Sequence, residues 1–141
     1  MPEIALDNET LGYLRLFEEA TGARVRDCFF AEEKLVFLVE PADLIRAVGP
    51  GGVRIERLKE ILKKEIAVVA YSDDPATLAR NIFYFFQPKS VEIVPKGRSR
   101  HATVTVDPAW KARAIGKQGR NLKVARAILA RHTDVQSVSV A

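Results

Sequence analysis

Two stretches decide the reading of this chain: Val48-Gly49-Pro50-Gly51-Gly52-Val53-Arg54-Ile55 and Ala114-Ile115-Gly116-Lys117-Gln118-Gly119-Arg120-Asn121-Leu122. Each sets a Gly-x-x-Gly between two segments of helical periodicity. A shift of 67 residues carries Gly49 onto Gly116 and aligns the surrounding sequence without a gap. Val39 falls on Val106, Pro41 on Pro108, Arg46 on Arg113, Gly52 on Gly119, Leu62 on Leu129 and Val68 on Val135. One supersecondary unit used twice accounts for this better than coincidence. The period is longer than that of solenoid repeats, so the chain reads as two copies of a module rather than an array.

Working outward, the copies share a plan. Lys34 to Glu40 and His101 to Asp107 are rich in β-branched residues and read as strands. Pro41 and Pro108 follow, suited to a first helical turn where a missing N–H is no loss. Short helices then run to Val48 and Ile115, each ended by glycine. Beyond the loops, Ile55, Leu58, Ile61 and Leu62 in one copy and Leu122, Ala125, Ile128 and Leu129 in the other form apolar stripes expected in a core. Final strands are expected over Ile66 to Tyr71 and Val135 to Val140. Upstream, Leu11, Leu14 and Phe17 mark a helix with Asn8 as its cap and Gly22 as its stop, and Arg24 to Phe30 a strand. Asp73-Asp74-Pro75 opens a helix reaching Gln87, expected to close the first module and open the second; Val91 to Val94 is a strand. Each copy thus reads helix, strand, strand, helix, loop, helix, strand: an α+β fold with helices on one face of a three-stranded sheet, residues 1–74 forming the first domain and 75–141 the second.

Composition narrows the function. The chain has 141 residues, 48% hydrophobic and 28% charged, enough for two small cores. Residues 1–70 hold 10 Lys+Arg and 13 Asp+Glu, a net −3; residues 71–141 hold 12 and 5, a net +7. The basic half suits a polyanion, because cations that neutralise phosphates release counterions; the same charge also serves solubility. Cys28 is the single cysteine, so an internal disulfide and a thiol metal cluster are excluded; in the run Cys28-Phe29-Phe30-Ala31 it reads as a buried thiol rather than a nucleophile. His101 and His132 lack a Ser, Cys or carboxylate partner at a suggestive spacing, Asp73-Asp74 is explained as a helix cap, and no phosphate-binding Gly-x-x-x-x-Gly-Lys occurs. An enzyme is therefore not expected, nor a metal or cofactor. The N-terminus lacks a secretory signal and no apolar run reaches membrane-span length, so a cytoplasmic protein without a membrane partner is expected.

The Gly-x-x-Gly loop is the element that carries chemistry. Glycine admits positive φ and close approach of another backbone, and the loop feeds a helix N-terminus whose unpaired N–H groups favour phosphate. In the second copy Gly116, Lys117, Gln118 and Gly119 are joined by Arg120, Lys123 and Arg113. One such loop alone is equally an ordinary helix–turn–helix corner; two in register, each between helices and after a strand, shift the balance toward a binding loop.

These residues resemble the core signature of KH domains, and the helix-first order resembles their type II arrangement. More narrowly, Thr21 to Cys28, Val69 to Pro75, Ala114 to Leu122 and Ala130 to Val135 make the chain similar, over residues 5–141, to the archaeal NusA-like transcription factors: two tandem KH domains without the polymerase-binding and S1 domains of the bacterial protein. The resemblance implies a loop that clamps about four nucleotides of single-stranded RNA, and a role in transcription termination or antitermination on nascent RNA. It also implies a base groove between the loop helix and the adjacent strand, with Ile115 and Leu122 as walls. The first loop departs from the pattern. Gly49, Pro50, Gly51 and Gly52 carry no cation, Pro50 offers no N–H, and only Arg46 and Arg54 lie near. That module either binds RNA weakly or serves as a scaffold.

Two other readings stand beside this one. Ribosome-associated proteins also use this KH type. Phe83-Tyr84-Phe85-Phe86 cannot all be buried on one helix face, so Tyr84 or Phe85 either packs between the modules or is left open to RNA polymerase or another factor. A monomer is expected.

Overall fold

The computed structural model describes residues 7–141. The chain divides into two compact units, the first ending at Tyr71 and the second running from Ser72 to Ala141.

The first unit runs α1 (Asn8–Thr21), β1 (Val25–Ala31), β2 (Lys34–Val39), α2 (Leu44–Val48), α3 (Val53–Leu62) and β3 (Glu65–Ala70). The cap of α1 is Asp7, one residue before the expected Asn8. Its carboxylate accepts the Thr10 N–H at 2.8 Å, the third helical N–H that an Asx cap reaches. Gly22, at φ 73°, ends the helix as expected. β1 and β2 pair antiparallel, whereas β2 and β3 pair parallel because the α2–loop–α3 crossover lies between them. Phe17 of α1 stacks on Phe37 of β2 with centroids 4.1 Å apart, and Cys28, Leu35, Val39, Ala47, Leu58 and Ile66 complete the core. Ile61 departs from the expected stripe: it is 66% exposed. Helix α3 has ten residues against thirteen in its counterpart, so Ile61 lies in a last turn while the matching Ile128 sits mid-helix and fully buried.

The second unit repeats the order as α4 (Pro75–Ile82), β4 (Ser90–Lys96), β5 (Ser99–Thr105), α5 (Pro108–Ile115), α6 (Arg120–His132) and β6 (Val135–Val140). Asp74 caps α4 by accepting the Thr77 N–H at 3.0 Å, with Pro75 in the first turn. The helix expected to reach Gln87 stops at Ile82; a 3₁₀ turn, Tyr84–Phe86, follows. Helix α4 packs on β4, β5 and α6. The sheet order is β4-β5-β6, antiparallel then parallel, and Leu78, Phe83, Val104, Ala114, Ala125, Ile128, Leu129 and Val135 form the core between sheet and helices. On the other face of this sheet, His101 bridges Ser137 and Ser139 through its two ring nitrogens at 2.6 and 2.9 Å. No helix among the described residues is long and apolar enough to cross a membrane.

Ion pairs pin the ends of both sheets. Arg100 Nε donates to both Asp134 carboxylate oxygens at 2.8 and 2.9 Å, tying the start of β5 to the turn before β6. Hydrogen bonding from Arg100 holds the Asp134 carboxyl below its usual range, and the Arg24 backbone N–H does the same for Asp43. Both folded-state values lie below the unfolded one, so the stabilisation is present above the ordinary aspartate range, near pH 4, and is lost as pH falls through the folded values. Thermal unfolding followed between pH 6 and pH 2.5 is expected to show a gradual loss below about pH 4, and Asp134→Asn to reduce that loss for the second unit.

Candidate nucleic-acid interface

The two Gly-x-x-Gly loops have the same backbone. Gly49 (φ 79°, ψ 167°) and Gly116 (φ 82°, ψ 163°) occupy a region that is essentially glycine-only. A Cβ on Gly116 would lie 2.8 Å from the Asn121 backbone nitrogen, and one on Gly49 would lie 2.8 Å from Arg54 Cβ. The first glycine of each loop is therefore required because the helix that follows packs on it. Each loop then makes a tight turn, Pro50–Gly52 or Lys117–Gly119, whose middle residue is left-handed (Gly51 at φ 60°, Gln118 at φ 58°), closed by Gly52 N–H to Gly49 O at 3.1 Å and by Gly119 N–H to Gly116 O at 3.0 Å. A side chain eight residues on braces each corner from outside: Asn121 Nδ2 donates to the Arg113 carbonyl at 2.8 Å, and the Arg54 guanidinium donates to the Arg46 carbonyl.

What the loops present differs. In the second, the Lys117 and Gln118 N–H groups precede the first bonded N–H of the turn, so both are donors at a helix N-terminus. Lys117, Lys123 and Arg126 are exposed and take part in no ion pair among the described residues, and Arg120 lies between them. The Arg113 guanidinium lies 5.6 Å from the centre of the Trp110 ring. In the first loop Pro50 removes one donor. Its two cations are engaged: Arg46 reaches Asp43 at 3.9 Å and the Gly22 carbonyl at 3.3 Å, and Arg54 is spent bracing the loop. Around them Ile45 is 86% and Val53 52% exposed, where the second copy carries Ala112 and Arg120.

Beside the second loop, a groove of about 280 Å³ runs between α6 and β6, lined by Gly119, Leu122, Lys123, Arg126, Ser137 and Val138. Leu122, one of the two expected walls, is in this lining. Ile115, half-buried at the end of α5, is not in that lining. Arg126, Ser137 and Val138 were missed. Arg126 carried a signal, since it lies four positions after Leu122 on the same helix face. The two β6 residues needed the strand pairing. β6 is an edge strand, so one row of its backbone polar groups is left without a neighbouring strand.

Two αββααβ units, each with a mixed three-stranded sheet and a Gly-x-x-Gly turn between its last two helices, define tandem type II KH modules. Residues 75–141 match the family model of the NusA-like second KH domain. The probable transcription termination protein NusA of Thermoplasma acidophilum is 31% identical over 140 residues, covering 99% of this chain and 97% of that one. Its namesake in Halococcus morrhuae is 29% identical, covering 98% and 99%. The crystal structure of APE1850 superimposes with a TM-score of 0.79 at 33% identity, covering 96% of this chain and all of that one. The chain belongs to the archaeal NusA-like family of tandem KH proteins.

Proposed function

We propose that this transcription termination-related KH protein binds single-stranded nascent RNA, and that its second Gly-x-x-Gly loop is the principal clamp. One observation carries the reading: the Lys117–Gly119 turn joins two N–H donors at a helix N-terminus to Lys117, Arg120, Lys123 and Arg126, beside a groove open to bases. Phosphates would sit on the turn and bases would enter over Leu122 toward the edge of β6. In this reading residues 1–74 form the first domain and 75–141 the second, the latter being the span that matches the NusA-like second KH domain. The first loop contributes little to RNA affinity, because its cations are held internally and one of its donors is a proline. Exposed Ile45, Pro50 and Val53 favour a second use for that unit, as a scaffold against RNA polymerase or another protein.

Salt titration of the wild-type protein with a ten-nucleotide single-stranded RNA tests the reading. The four cations at the loop predict that log K falls with log salt at about −0.7 per neutralised phosphate, a slope of about −3 or steeper. A slope near zero, or equal affinity for a duplex of the same length, contradicts a single-strand clamp.

A further inference from the structure

The second unit carries a feature that the clamp does not use. Tyr84 and Phe85, in the 3₁₀ turn after α4, are 62% and 67% exposed, while their neighbour Phe83 is buried. With Arg80, Gln87 and Pro88 they line a shallow depression of about 440 Å³, within the ~300–1,000 Å³ range of small-ligand sites. The rings meet edge to face at 5.6 Å, an arrangement that cannot cover both ring faces. Arg80 donates to the Pro88 carbonyl at 3.2 Å, which fixes the rim and holds a cation beside the rings.

Two cations, one of them ion-paired, flank this patch. Arg80 lines it, and Lys89 follows Pro88 in the chain, paired with Asp107 at 3.8 Å. The turn that carries the patch is tied to α5, the helix that leads into the loop. The turn packs on α5, where Phe86 meets Trp110 at 6.4 Å. One turn further along α5, the Arg113 guanidinium lies 5.6 Å from the Trp110 ring centre, three residues before Gly116, and Lys111 is exposed on the same helix. Between the depression and the clamp, α5 spans eight residues, roughly 12 Å. Its exposed charges are all positive except the capping Asp107.

We propose that Tyr84 and Phe85 form a second RNA subsite, a stacking platform for a nucleobase outside the stretch held by the loop, with Lys111 and Arg113 carrying the intervening backbone along α5. Aromatic faces with a flanking guanidinium stack bases without selecting among them, so the platform extends the footprint without adding sequence specificity. This inference rests on the clamp reading, and its experiment separates the two.

The experiment compares full-length wild type, Tyr84→Ala/Phe85→Ala and Lys117→Asp/Gln118→Asp in binding to four- and ten-nucleotide single-stranded RNAs. The expected result is about tenfold weaker binding of the long RNA by the aromatic variant, with the short RNA unchanged, while the loop variant loses both. A Tyr84→Leu/Phe85→Leu variant, which keeps apolar bulk but no π face, should behave as the alanine variant, whereas Tyr84→Phe/Phe85→Tyr should match wild type. In the wild type, a ten-nucleotide RNA bearing 5-iodouridine near one end should photocrosslink within residues 84–85. If the aromatic variants bind the long RNA as wild type does, or crosslinks avoid this turn while the loop variant is defective, the platform is wrong and the patch faces a protein instead. If the loop variant binds both RNAs normally, the clamp reading fails first.

Discussion

Replacing Lys117 and Gln118 by aspartate is expected to lower affinity for single-stranded RNA by at least about a hundredfold, whereas Gly51→Asp in the first loop costs less than about fivefold. The asymmetry follows from what each loop offers. The double substitution removes one cation and puts two carboxylates at the helix N-terminus where a phosphate would sit, so attraction becomes repulsion at the point of closest approach. The fold should survive, since both side chains are exposed and the turn is closed by the backbone of Gly116 and Gly119. In the first loop the counterpart positions are Pro50 and Gly51, with the nearby guanidiniums already bound to Asp43, the Gly22 carbonyl and the Arg46 carbonyl. An added carboxylate there removes little that was available to RNA. Fluorescence anisotropy with a labelled ten-nucleotide RNA reads both effects, and circular dichroism checks that each variant is folded.

The second large effect is on stability. Gly116→Ala should destabilise the second unit by about 2–4 kcal/mol, because it combines a backbone conformation that costs non-glycine residues about 1–3 kcal/mol with a Cβ driven onto the Asn121 backbone. That contact, 2.8 Å to a backbone nitrogen, cannot be relieved by turning a side chain. Gly119→Ala is the control. Gly119 is also left-handed, at φ 72°, but a Cβ there meets open space, so its cost should stay near 1 kcal/mol. Trp110 is the chain's single tryptophan and lies in α5, so denaturant unfolding followed by its fluorescence reports the second unit. Equal losses for the two variants would show that the close packing of the corner on α6 is unimportant.

What sequence could and could not reveal divides along the range of the interactions. The repeat, the two corners and most of the apolar stripes are local patterns, and the strands and helices occur where those patterns lie. Errors arose where a distant partner decides. Asp43 is the counterpart of Trp110, three residues into the segment after the strand, and its buried carboxylate turns to the Arg24 N–H at 3.0 Å. The Pro41–Asp43 segment is accordingly a separate 3₁₀ turn, while the matching Pro108 begins a full helix capped by Asp107. Ile61 reads as core by spacing alone but lies in the last turn of a shorter helix. The helix expected to reach Gln87 breaks at Phe83, and this break exposes both Tyr84 and Phe85 rather than one of them. Of the candidate groove, Leu122 was expected only through the resemblance to KH domains; helical spacing alone places it in the core stripe. Ser137 and Val138 were not expected, because their place depends on the pairing of β5 with β6, in which His101 lies opposite Ser137 and Ala102 opposite Val138.

The most direct test of the central claim is a map of backbone amide shifts in the full chain as a ten-nucleotide single-stranded RNA is added. The largest changes are expected at Lys117, Gln118 and Gly119, continuing through Leu122, Lys123 and Arg126 to Ser137 and Val138, with Gly51 and Gly52 moving little. Changes centred on Gly51 and Gly52 while the second loop stays still, or none at either loop, would contradict the account.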